Sequence, residues 1–234
     1  MPDLFSGPRT FIIAEACSNI IPHLDKLPAV VDEVASTGAT SLKVQLFLAS
    51  HFPEGEQASK KLSVFPRDCF PELVSLCHDK GLLAGASVFD PEAVDLCVQS
   101  GADFLKLASR EWENDRLIKE CFTTKMPVIR SFPWSGSFSN QYDKYQRNDS
   151  RLMACVPEYP AHSFHLPRSF GDRAAGWSSH TNHYTDCLAA ISRGATIIEK
   201  HIKFSPNDYE AGWSLDVTQF SKMVQDIRWL EERL

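Results

Sequence analysis

Four glycines do most to limit how this chain can fold. Gly38-Ala39, Gly81-Leu82, Gly101-Ala102 and Gly194-Ala195 each follow a helical run and precede an apolar, β-branched one. Glycine enters the left-handed conformation that ends a helix without steric cost. Helix, glycine and strand, repeated along a chain, make the rhythm of a parallel sheet. Strand patterns fall at Phe11–Ala16, Ser41–Phe47, Leu82–Phe89, Phe104–Ser109, Pro127–Phe132, Arg151–Val156, Ala174–His180 and Thr196–His201. Apolar residues at i, i+3 and i+4 predict helices over Leu27–Ser36, Asp68–Lys80, Pro91–Gln99, Asp115–Phe122, Asp186–Ser192 and Val217–Leu234.

Eight such strands in 234 residues predict a single-domain α/β fold, a (β/α)8 TIM barrel over residues 1–234. A doubly wound open sheet is the alternative. The first strand-helix turn, Cys17-Ser18-Asn19-Ile20-Ile21-Pro22, carries no Gly-x-Gly-x-x-Gly, so nothing supports a dinucleotide fold. Two stretches break the rhythm. Pro133–Ser150 is polar and aromatic with no apolar stripe, so the helix between strands five and six should be short or missing. Ser50–Ser63 reads as a second long loop.

Composition narrows the function. Lys and Arg number 24 against 30 Asp and Glu, a net charge of −6, which leaves no basic excess for nucleic acid. No apolar run approaches the ~18 residues that would span a membrane. Met1-Pro2-Asp3-Leu4 does not begin a secretory signal. The seven cysteines are scattered without a Cys-x-x-Cys pair, as expected of free thiols in a reducing, cytoplasmic setting.

The polar residues at the strand ends carry the chemistry. Residues two apart on a strand share a face. Glu15 follows Ile13, Gln45 follows Lys43, His180 follows Ser178 and His201 follows Glu199, and Lys106 sits on strand four. Charges are costly on either face of a barrel wall. Five strands ending this way therefore point to one polar pocket at the C-terminal mouth, where barrels build their active sites. Two lysines with Ser87, Ser109, Ser131 and Ser178 suit an anion such as a phosphate or carboxylate. His180 and His201, with Glu15 or Glu199, make a donor set for Mn²⁺, Zn²⁺ or Fe²⁺. Two hydrogen-bonded histidines without a metal are the plainer alternative.

The motifs then resemble the sialic acid synthase family. Ile13-Ala14-Glu15-Ala16-Cys17-Ser18-Asn19, Leu42-Lys43-Val44-Gln45, Ser87-Val88-Phe89-Asp90 and Phe104-Leu105-Lys106-Leu107-Ala108-Ser109 appear in the family order. Cys155-Val156-Pro157-Glu158-Tyr159-Pro160, Gly176-Trp177-Ser178-Ser179-His180-Thr181, Gly194–His201 and Ser214-Leu215 follow. The resemblance implies a barrel that condenses phosphoenolpyruvate with a sugar aldehyde such as N-acetylmannosamine. The product is a 2-keto sugar acid, and phosphate is released. It implies a divalent metal, Mn²⁺ or Mg²⁺, held by His180 and His201. It places Lys43, Ser87, Lys106, Ser109, Ser131 and Ser178 around phosphoenolpyruvate. Gln45 and Glu15 fall near the aldehyde and water, and Tyr159 in the sugar pocket. A homodimer is left open.

The departures gather on the sugar side. Ile20-Ile21-Pro22, Arg110-Glu111, Pro157, Ser179 and Glu210-Ala211 stand where the family carries other, mostly polar, groups. The antifreeze-like domain that follows the barrel in the family is expected to be absent. These departures keep a second reading open: a divergent, non-catalytic barrel that binds a phosphorylated or sugar ligand, or a subunit that needs a partner chain.

Overall fold

A computed structural model describes residues 3–136, 145, 147–162, 165–171 and 174–234. Eight parallel strands form the wall: Phe11–Glu15 (β1), Ser41–Leu46 (β2), Leu83–Val88 (β3), Phe104–Leu107 (β4), Val128–Pro133 (β5), Ser150–Cys155 (β6), Gly176–Ser179 (β7) and Ile197–Lys203 (β8). Each pairs with the next, and β1 pairs with β8 from Phe11↔Ile197 to Glu15↔His201, which closes the barrel. The open-sheet alternative is thereby excluded. A two-residue strand, Leu215–Asp216 (β9), extends the pairing beyond β8.

The helices are Leu27–Ser36 (α1), Glu54–Lys60 (α2), Phe70–Asp79 (α3), Pro91–Ser100 (α4), Asp115–Thr123 (α5), Thr185–Ser192 (α6) and Val217–Glu231 (α7). α4 shows the local logic. Asp90 caps it by accepting from the Ala93 amide, Pro91 opens it, and Gly101 ends it at φ 71°. α2 corrects the sequence reading of 50–63 as a loop. None of its residues is buried, so it shows no apolar stripe, while Glu54 and Glu56 favour its N-terminus. The expectation of a short or missing helix between β5 and β6 falls largely outside the described residues. Residues 137–144 and 146, most of that stretch, lie outside the described set.

Alternation along the strands sorts two cores. Ile12, Ala14, Leu42, Val44, Ala84, Ala86, Leu105, Leu107 and Ile198 face outward and pack with the helices. Phe11, Ile13, Phe104, Ile129, Met153 and Ile197 face inward, with Phe5 packed against them. Phe5, Phe11 and Phe104 meet edge to face, at centroid distances of 5.2 to 6.4 Å. Gly85 makes room for this plug, since a Cβ there would lie 2.3 Å from Phe104 Cζ. The interior is thus apolar in its N-terminal half. Two residues further along β1, β4 and β8 the inward positions become Glu15, Lys106 and Glu199, and the character reverses.

Candidate active site

The barrel wall brings five predicted residues into one buried polar layer: Glu15, Lys43, Ser87, Lys106 and Ser178. Their contacts were not legible in the sequence. Lys43 Nζ bonds the Glu15 carboxylate, donates to Ser87 Oγ at 2.7 Å and lies 3.4 Å from Glu199 Oε2. Lys106 Nζ donates to Glu199 Oε1 at 2.8 Å, and Ser178 Oγ donates to the same oxygen at 2.8 Å. Two cations are matched by two carboxylates, so the layer is balanced as it stands. Burial pushes Lys43 down to about 7, Lys106 adds to the shift, and Glu199 opposes it. Burial would raise Glu199, but Lys106 and Lys43 outweigh it and hold the carboxyl below its ordinary value. Ser131 Oγ is buried on β5 and has no hydrogen-bond partner among the described residues.

Above this layer stand His180 and His201, with ring centroids 5.6 Å apart. His180 Nδ1 is 2.6 Å from the Val156 carbonyl, which can only accept, so the ring proton is on Nδ1. Its Nε2 is 3.3 Å from Ser178 Oγ, whose single proton is committed to Glu199. That lone pair therefore has no strong donor. Burial and the His201 ring push His180 down to about 3, which keeps it neutral. His201 Nδ1 is 2.8 Å from Glu210 Oε2, which leaves its Nε2 free as well. Two rings whose Nδ1 atoms are held by a carbonyl and a carboxylate fit a divalent cation. Among the described residues, no three His, Cys, Asp or Glu side chains converge at ligand spacing. Glu15 and Glu199 do not join the histidines, contrary to the sequence reading, because the lysines hold them.

The remaining predicted residues frame the mouth. Gln45 is half-buried at the end of β2, and Ser109 opens a short turn after β4. Tyr159 is half-exposed, with its ring 4.2 Å from His180 and 5.6 Å from Trp213. Three groups escaped the sequence reading of the site: Glu210 as the partner of His201, Cys17 as the partner of Glu210, and Trp213 beside Tyr159. None lies on a barrel strand, so the two-residue alternation gave no signal for them.

A closed parallel barrel with a buried Lys/Glu layer under two histidines defines a polar-mouthed α/β barrel. The chain belongs to the NeuB family, which it matches over residues 30–234. It is 28% identical to the spore coat polysaccharide biosynthesis protein SpsE of Bacillus subtilis, over 96% of this chain and 68% of that one. It is 24% identical to the N,N'-diacetyllegionaminic acid synthase of Campylobacter jejuni, over 97% of this chain and 78% of that one. The N-acetylneuraminic acid synthetase of Leptospira borgpetersenii, solved with citrate, shares the fold at a TM-score of 0.83 and 23% identity. It covers 96% of this chain and 85% of its own.

Proposed function

We propose that this barrel condenses phosphoenolpyruvate with a sugar aldehyde to give a 2-keto sugar acid and inorganic phosphate. The observation that carries the reading is the layer of Lys43, Lys106, Glu15 and Glu199 beneath two histidines whose Nδ1 atoms are held by Val156 and Glu210. Its support is membership of a family whose relatives include an N,N'-diacetyllegionaminic acid synthase. Lys43 and Lys106 hold the phosphate and carboxylate of phosphoenolpyruvate. Ser87, Ser109, Ser131 and Ser178 supply hydroxyl donors to the same anion, and Ser131 bonds no other group among the described residues. Gln45 and Tyr159 contact the aldehyde substrate.

The C3 carbon of phosphoenolpyruvate attacks the aldehyde carbon, which becomes a hydroxyl carbon. Positive charge develops at C2, and water adds there. The resulting intermediate loses phosphate through its C2–O bond and becomes the ketone. Glu15, shared between Lys43 and the Cys17 amide, is the carboxylate that orients this water. His180 and His201 would hold Mn²⁺ or Mg²⁺, which when bound supplies Lewis-acid polarisation of the aldehyde oxygen. The seven free thiols suit a reducing, cytoplasmic setting.

Phosphate release from phosphoenolpyruvate with Mn²⁺, across a panel of sugar aldehydes, tests the proposal. Release that depends on one aldehyde is the expected result. No release with any of them favours the non-catalytic reading.

A further inference from the structure

Glu210 lies outside the barrel strands, yet few side chains here are held so closely. Its amide donates to Asn19 Oδ1 at 2.7 Å, and its carbonyl accepts from Ser214 Oγ at 2.6 Å. Asn19 Nδ2 in turn donates to Ser214 Oγ at 2.9 Å and to the Ile202 carbonyl at 2.8 Å. The turn carrying Glu210 is thereby tied to the segment after β1 and to β8 itself. Its carboxylate then reaches two groups: Oε2 takes the His201 Nδ1 proton at 2.8 Å, and Oε1 takes the Cys17 thiol at 3.0 Å. Cys17 adopts φ 43°, a left-handed conformation that costs a non-glycine residue energy and persists only when its surroundings over-determine it. In that conformation its amide also donates to Glu15 Oε1 at 2.8 Å. One strained residue therefore touches Glu15 through its backbone and Glu210, the partner of His201, through its side chain.

We propose that Glu210, with the Cys17 thiol as its second donor, is a positioning residue that keeps the His201 proton on Nδ1 and its Nε2 lone pair free. The inference rests on the two-histidine metal site proposed above and deepens it. A carboxylate behind a ligating imidazole fixes the ring and raises its basicity.

The test begins with metal-free protein. Imidazole ¹⁵N spectra, with His201 assigned through His201→Gln, should show the proton on Nδ1 in the wild type. Glu210→Ala should move it toward Nε2 and weaken Mn²⁺ binding by about 10–100-fold, read by calorimetry. Glu210→Gln keeps an acceptor and loses the charge, so it should keep the tautomer and still bind Mn²⁺ more weakly. Cys17→Ala should weaken binding less, with Cys17→Ser restoring it. An Nε2 proton in the wild type, or ring signals and Mn²⁺ affinity unchanged in both Glu210 variants, overturns the inference. An Nδ1 proton that moves in Glu210→Ala, in a wild type that binds no Mn²⁺, upholds the positioning role and overturns the metal reading instead.

Discussion

Lys43 and Lys106 were both legible as pocket cations, but their carboxylate partners were not, because a strand's sequence does not show what faces it across the barrel. The partners change what each lysine should do when altered. Lys106→Met leaves Glu199 buried with only Ser178 and a Lys43 contact of 3.4 Å. Removing one member of a buried ion pair typically costs about 3–5 kcal/mol. The variant should therefore lose stability as well as phosphoenolpyruvate affinity. For a chain of this size, about 3 kcal/mol is a fall in Tm of roughly 6–12 °C. An unchanged melting curve would mean that the pair contributes little. Lys43 makes a pH prediction. Its folded value, about 7, lies below the ordinary 10.5, so much of it is neutral at pH 8. A bound anion favours the charged form and raises the value again. Phosphoenolpyruvate binding should therefore take up protons above about pH 7, and not well below it, where Lys43 is already charged. Calorimetry at pH 8 in buffers of different ionisation enthalpy should show this uptake, and Lys43→Met should abolish it.

Elements with a buried face were the legible ones. All eight strands fall within two residues of their sequence positions, because inward and outward residues alternate and both faces are packed. α1 matches its predicted span, Leu27–Ser36. α2 was missed because it buries nothing, and periodicity reports burial and not helicity. The apolar plug at the N-terminal half of the barrel makes its own prediction. Gly85 on β3 faces the Phe104 ring, and Gly85→Ala would press a methyl group into it. Overpacking of this kind costs about 1–3 kcal/mol. Denaturant unfolding should show the loss, and Phe104→Leu placed in the same chain should recover part of it. Two destabilisations that simply add would mean that the two residues do not meet.

For the whole molecule, the barrel and its family were readable because the motifs sit on strands, where order and spacing are fixed by the sheet. Glu210, Cys17 and Trp213 lie in the segments after β1 and β8, whose paths depend on tertiary contacts such as those of Asn19 and Ser214. Most departures from the family pattern lie in loop segments, with Ser179 at the end of β7 the exception, so the phosphoenolpyruvate half of the site was clearer than the sugar half. Ile20 packs into the hydrophobic core, Pro157 brings no side-chain donor, and Glu210 is committed to His201 and Cys17. N-acetylmannosamine should accordingly be a poor acceptor, with kcat/KM below the ordinary enzymatic range of about 10⁴–10⁸ M⁻¹s⁻¹. A value inside that range would show that these substitutions do not reshape the sugar pocket. The central claim is the addition of water at C2 with loss of phosphate through the C2–O bond. Phosphoenolpyruvate carrying ¹⁸O in its bridging position, turned over with the accepted aldehyde, tests it most directly. The label should leave in inorganic phosphate; label retained in the 2-keto acid would mean that the C2–O bond is not the one broken.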